Sequence, residues 1–119
     1  MPESDNKSLE RLAKKIADFC TERDWEQYHN PKNLSMALAV EASELMEIFQ
    51  WLTIAESQKA SLSPDQLKAI EEEIADVLIY AIRMSQVLDI DLLAAIASKL
   101  KKNAAKYPVE KIKGKASLD

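Results

Sequence analysis

One glycine, one cysteine and one histidine are all that 119 residues contain of these types, and each shortage removes a class of answer. One Cys cannot form an internal disulfide, and one Cys with one His is too little for a zinc site. A single Gly leaves little for the tight turns of hairpins, and no run alternates apolar with polar residues, so strands have no support. No apolar stretch reaches the roughly 18 residues that would cross a bilayer, and no signal-like apolar segment follows Met1. A cytosolic protein without a membrane partner is therefore the expectation. The net charge of −4 lacks the cationic surplus on which binding to a phosphate backbone rests, so nucleic acid is not an expected partner. Free nucleotides stay compatible, because a metal can carry their phosphates. Neither an internal repeat nor a low-complexity segment occurs.

What the chain does have is helical periodicity. At 47% hydrophobic over 119 residues, it reads as one domain, 1–119, with a modest core over about 8–108 and mobile ends. Apolar residues at Leu9, Leu12, Ala13, Ile16, Phe19 and Cys20 predict a first helix from Ser8 to about Tyr28, with Cys20 a core thiol rather than a nucleophile. Asn30-Pro31 breaks it and starts a second, Leu34 to about Leu52. Ser63-Pro64-Asp65-Gln66 has an N-cap Ser, a Pro at N1 and a Gln at N3, which predicts a third helix reaching about Leu88. Asp89 or Asp91 caps a fourth, with Leu92, Leu93, Ile96 and Leu100 on its apolar side, ending near Tyr107. Met1–Lys7 and the Lys-rich tail beyond Pro108 are expected to be mobile. The fold class is all-α, a four-helix bundle.

The second and third helices carry the chemistry. On the second, Glu41 falls on the stripe Leu34, Leu38, Glu41, Leu45, Ile48, Leu52 that a 3.6-residue period turns inward, and Glu44 flanks it. On the third, Ala69, Glu73, Asp76, Tyr80 and Arg83 share one face, beside Ile70, Ile74, Val77 and Leu78. With 20 acidic residues in the chain, chance alone supplies about three acidic pairs at i,i+3, so Glu47, Glu56, Glu71 and Glu72 read as solvated charges. Phase sets Glu41, Glu44, Glu73 and Asp76 apart. Carboxylates held against a core are costly unless compensated, and a hard divalent cation with oxygen ligands, Mg²⁺ or Mn²⁺, would compensate all four. The lone His29, in a loop, stays outside that metal set.

Base recognition would require aromatic faces and an amide, which Trp25, Trp51, Tyr80, Asn103 and Tyr107 provide. Lys99 and Lys106 could contact phosphates, although Lys near a helix C-terminus is ordinarily solvated.

Glu41-x-x-Glu44, followed by Glu73-x-x-Asp76, resembles the metal signature of all-α nucleoside triphosphate pyrophosphohydrolases, the MazG-like superfamily. Residues 23–33, Glu47-Ile-Phe-Gln-Trp51, Asp76-Val-Leu-Ile-Tyr80 and Lys99-x-x-x-Asn103-x-x-Lys106-Tyr-Pro108 resemble its dCTP pyrophosphatase-like branch, and the likeness covers roughly 9–110. MazG proper tends to carry a Glu where this chain has Val40, which also favours that branch. The resemblance implies a MazG-like bundle in which Glu41, Glu44, Glu73 and Asp76 hold Mg²⁺, with Mn²⁺ able to substitute. It implies attack at the α-phosphorus of a nucleoside triphosphate, dCTP or a related dNTP. It assigns Trp51, Tyr80 and Asn103 to the nucleoside, and Ile16, where relatives offer a polar group, implies leakage to other bases. A homodimer or homotetramer, with a neighbouring subunit completing the base pocket, follows from it too. The competing readings are a helical interaction module without turnover, and a related enzyme for dUTP or a modified nucleotide.

Overall fold

The structure is a computed structural model in which residues 8–117 are described; the expectation for Met1–Lys7 falls outside them. All its regular elements are helical. They are α1 (Leu9–Glu22), α2 (Pro31–Phe49), a 3₁₀ turn at Lys59–Ser61, α3 (Pro64–Val87), α4 (Leu92–Lys106) and the single-turn α5 (Val109–Ile112). A first compact unit ends at Leu88 and a second begins at Asp89.

Helix starts follow the capping residues. Asn30 Oδ1 accepts from the backbone N–H of Asn33 at 2.9 Å, and Pro31 opens α2. Ser63 Oγ accepts from the Gln66 N–H at 3.1 Å while Gln66 Oε1 accepts from the Ser63 N–H at 2.8 Å, a complete capping box. Ser8 and Asp91 cap α1 and α4 by accepting from the backbone N–H groups of Arg11 and Ala94, without a reciprocal bond. Asp89 is not a cap: at φ 54° it takes the left-handed position just beyond α3.

The first helix is shorter than its periodicity predicts. It stops at Glu22 because Asp24 adopts φ 55°. The Asp24 and Trp25 N–H groups then donate to Thr21 O and Cys20 O, both at 3.0 Å. This is a Schellman end with Asp in the place usually held by Gly. The apolar contact that accompanies such an end is present: Trp25 meets Phe19 edge-on, ring centroids 5.5 Å apart. Thus Asp24 folds the 23–30 loop back so that Trp25 faces α1. The second helix likewise ends at Phe49, short of Leu52, in a turn closed by the Leu52 N–H on Phe49 O at 2.9 Å. In the Lys-rich segment after Pro108, α5 forms one turn where no element was expected.

In the first unit α2 packs along α3, and α1 packs on α3 more lightly. Leu34 is buried, and Leu38, Glu41, Leu45, Ile48 and Leu52 behind it are half-buried, as the stripe requires. On α3 the arrangement is inverted. Glu73, Asp76 and Tyr80 are half-buried and Arg83 is buried, whereas Ile74 and Leu78 are exposed. Helices α2 and α3 thus pair across a face that holds carboxylates, at the expense of apolar core. Among the described residues only Cys20, Leu34 and Ile82 are buried apolar side chains.

Ser63→Ala should lower stability by about 1 kcal/mol through loss of the capping box. Urea denaturation with an unchanged m-value checks it, and an unaltered midpoint would contradict it.

Candidate active site

Glu41 on α2 and Glu73 and Asp76 on α3 converge. One carboxylate oxygen from each lies within 4.8 Å of the others. The sequence places them there: Glu73 and Asp76 are one turn apart on one face of α3, and Glu41 occupies an inward position of α2. Glu41 Oε2 and Glu73 Oε2 are sealed from solvent without a hydrogen-bond partner. The surface ion pairs Lys14–Asp18, Arg23–Glu22 and Lys68–Glu71 involve none of the three. Burial, first, pushes the Glu41 carboxyl up to about 7, helped by the nearness of the Glu73 and Glu44 carboxyls, which would share its proton, and by the charges of Glu44 and Asp76. Glu44 is exposed and stands at the edge of the cluster, close enough to act on Glu41 but outside the tight trio.

These residues fit a divalent cation. An ion with oxygens at about 2.1 Å places its ligands about 3 Å apart in cis and about 4.2 Å in trans, within reach of the trio by small rotamer changes. The two orphaned oxygens would gain a partner. An all-oxygen donor set suits Mg²⁺ or Mn²⁺.

Beside the cluster a groove of about 630 Å³ lies between α1 and α3. Leu12, Ile16, Phe19 and Trp25 line it from one side and Asp76, Ile79, Tyr80 and Arg83 from the other. Tyr80 bridges the two regions, its hydroxyl pKa raised by burial first and then by the charges of Glu41 and Asp76. In the groove's lining Arg83, 8% exposed, donates from Nε to His29 Nδ1 at 3.1 Å and from Nη1 to Gln86 Oε1 at 3.0 Å. Gln86 Nε2 donates in turn to Ala13 O at 2.6 Å. Burial and Arg83 together lower the His29 pKa.

Of the base-recognition candidates, Trp25 and Tyr80 line the groove, and Trp25 also meets the His29 ring edge-on at 6.1 Å. Trp51 lies beyond the end of α2, 87% exposed. The remaining candidates belong to the second unit. Lys99 is exposed on α4, and Asn103, half-buried one turn later, accepts the Tyr107 N–H at its backbone carbonyl. Lys106 Nζ sits 5.3 Å from the Tyr107 ring centre. Sequence reasoning passed over the Arg83–His29–Gln86 network. A signal existed in the shared face of Asp76, Tyr80 and Arg83, but only folding brings His29, 54 residues away, to Arg83.

A helical protein with three converging carboxylates on neighbouring helices, next to an aromatic-lined groove, is a candidate divalent-metal protein acting on a ligand with an apolar part. The MazG-like family model matches residues 36–117. The chain is 41% identical over 109 residues to dCTP pyrophosphatase 1 of Rattus norvegicus, covering 92% of this chain and 64% of that relative. It is 43% identical over 101 residues to dCTP pyrophosphatase 1 of Homo sapiens, covering 85% of this chain and 59% of the relative. The crystal structure of a pyrophosphatase from Archaeoglobus fulgidus aligns with a TM-score of 0.77 at 39% identity, over 84% of this chain and 92% of that one. The chain belongs to the MazG-like family. It spans less than two thirds of the length of the rat and human relatives.

Because the folded Glu41 carboxyl keeps its proton up to about 7 against an ordinary 4.5, the folded state binds more protons than the unfolded one between those values. Stability of the metal-free protein should therefore fall as pH rises from 4.5 through 7, where the advantage is lost. Added Mg²⁺ or Mn²⁺ competes with that proton and should raise the melting temperature most above 7. Melting in EDTA and in millimolar metal from about pH 5 to pH 8 checks both signs. A flat metal-free profile, or no shift with metal, contradicts the cluster.

Proposed function

We propose that this chain is a Mg²⁺-dependent nucleoside triphosphate pyrophosphohydrolase that cleaves the bond between the α- and β-phosphates to give monophosphate and pyrophosphate. The observation that carries this is the pair of sealed, partnerless oxygens of Glu41 and Glu73 within a three-carboxylate cluster. Sealed polar groups without a partner are costly, and a bound cation would complete both of these. Glu41, Glu73 and Asp76 would hold the ion, with Glu44 at their edge. Bound there, it would supply positive charge to the triphosphate and acidify water. The relatives named dCTP pyrophosphatase 1 support hydrolysis at this bond and dCTP as the first substrate among deoxynucleotides.

The rest of the chain would bind and orient the nucleotide. Trp25 and Tyr80 offer aromatic surface in the groove, and Trp51, Asn103 and Tyr107 are assigned to the nucleoside, with Lys99 and Lys106 to its phosphates. The whole would act as one catalytic domain in the cytoplasm, clearing unwanted nucleotides from the pool. We also infer a homodimer or homotetramer. Met46 is 63% exposed, Trp51 87% and Ile54 83%, apolar surface of the kind that marks an interaction site where it is contiguous. A second copy would cover it and could bring Trp51 to a neighbour's nucleotide.

Pyrophosphate release measured with Mg²⁺ over a panel of dNTPs tests the reading. Glu41→Gln, Glu44→Gln, Glu73→Gln and Asp76→Asn should each lower kcat, and those in the trio by about 100-fold or more, since a lost ligand removes several kcal/mol of charge stabilisation. Glu71→Gln, an exposed partner of Lys68, should stay near wild type. Turnover retained in Glu73→Gln would move the site elsewhere.

Light scattering should give a dimer or tetramer at micromolar concentration. A fully active monomer would contradict the assembly.

A further inference from the structure

We infer that Arg83 and His29 form a base-reading element in the lining of the groove, one that selects a cytosine ring through its adjoining acceptors O2 and N3. The inference rests on the nucleotide reading above and adds residues to it. Arg83 is a cation 8% exposed, and among the described residues no carboxylate pairs with it. Leaving a guanidinium buried without an anion is costly, and its retention asks for a purpose. Two of its nitrogens are committed, Nε to His29 and Nη1 to Gln86. Nη2 carries two further protons and, among the described residues, has no protein acceptor, while the side chain lines the groove.

The bond from Arg83 also determines what His29 presents. A ring nitrogen that accepts from a guanidinium cannot itself carry a proton, so Nδ1 is bare and the neutral imidazole holds its hydrogen on Nε2. The His29 ring lines the same groove and, among the described residues, makes no hydrogen bond besides the one from Arg83. Both residues therefore offer donors there. The Gln86 bond to Ala13 O ties this element to α1, so the donors are held rather than free to swing.

Position supplies the second, independent argument. Arg83 lies seven residues beyond Asp76 on one face of α3, roughly 10 Å along the axis at 1.5 Å per residue. Tyr80 stands between them. That is about the length of a nucleoside monophosphate. A nucleotide whose phosphates sit at Asp76 would lay its sugar along Tyr80 and bring its base to Arg83, against the apolar wall that includes Ile16 and Trp25. Cytosine presents O2 and N3 side by side as acceptors. Uracil, almost the same shape, places a donor at N3, which would meet a donor.

The test compares dCTP with dUTP in wild type and in Arg83→Met, a volume-conserving change. The ratio of kcat/KM for dCTP over dUTP should fall by roughly one to two decades, since a buried donor left facing a donor is what rejects uracil. The loss should appear in KM, with kcat for dCTP at saturation little changed. Should Arg83→Met not fold, His29→Phe keeps the ring against Trp25, removes the Nε2 donor and should flatten the ratio as well. Calorimetry of metal-free wild type with deoxycytidine and deoxyuridine separates this inference from hydrolysis. Preference for deoxycytidine that Arg83→Met abolishes supports it, even in a protein that turns over no triphosphate. Turnover by Arg83→Met with the wild-type dCTP/dUTP ratio overturns it and leaves the hydrolytic reading standing. A change in solution mass with that ratio unaltered would make the groove an interface between copies and would also overturn it.

Discussion

The repulsion among Glu41, Glu73 and Asp76 is the constraint around which the first unit is arranged. Their oxygens are held within 4.8 Å, on half-buried faces of two packed helices. Left alone, the trio can relieve itself only by keeping a proton, which is why Glu41 holds its own to about 7. A cation would relieve it differently, by giving the sealed oxygens of Glu41 and Glu73 a partner. Proton and cation would thus compete for one place, and the cost of holding three carboxylates together would be the source of the cation's affinity.

The inversion of α3 follows from the same constraint. A helix that turns Glu73, Asp76, Tyr80 and Arg83 toward its neighbours has to leave Ile74 and Leu78 outside. Little apolar material remains for a core, and Leu34 is the sole large side chain fully buried among the described residues. The apolar surface displaced in this way lines the groove or faces solvent, where it is available to a ligand's apolar part or to another copy of the chain. Site and groove are two consequences of one choice of helix face.

Much of this was legible in the sequence because it is local. Asn30-Pro31 and Ser63-Pro64-Asp65-Gln66 start α2 and α3 where capping chemistry requires, and the phase of Glu41, Glu73 and Asp76 brings them together. What was not legible depends on backbone choices or distant contacts. Glu22 ends α1 because Asp24 takes a left-handed conformation, and an Asp does not announce that as a Gly would. The placement of Trp25 and His29 follows from that turn. Arg83 shared a face with the carboxylates, but its meaning waited on the loop residue it touches. Glu44 matched the motif as well as Glu41 did, yet its position flanking the stripe leaves it exposed at the rim.

Anomalous diffraction from crystals grown with Mn²⁺ and a non-hydrolysable dCTP analogue tests the central claim most directly. A peak bonded to Glu41, Glu73 and Asp76, with the triphosphate reaching it, is the result expected. Triphosphate bound elsewhere, with no peak among these three carboxylates, would contradict the account.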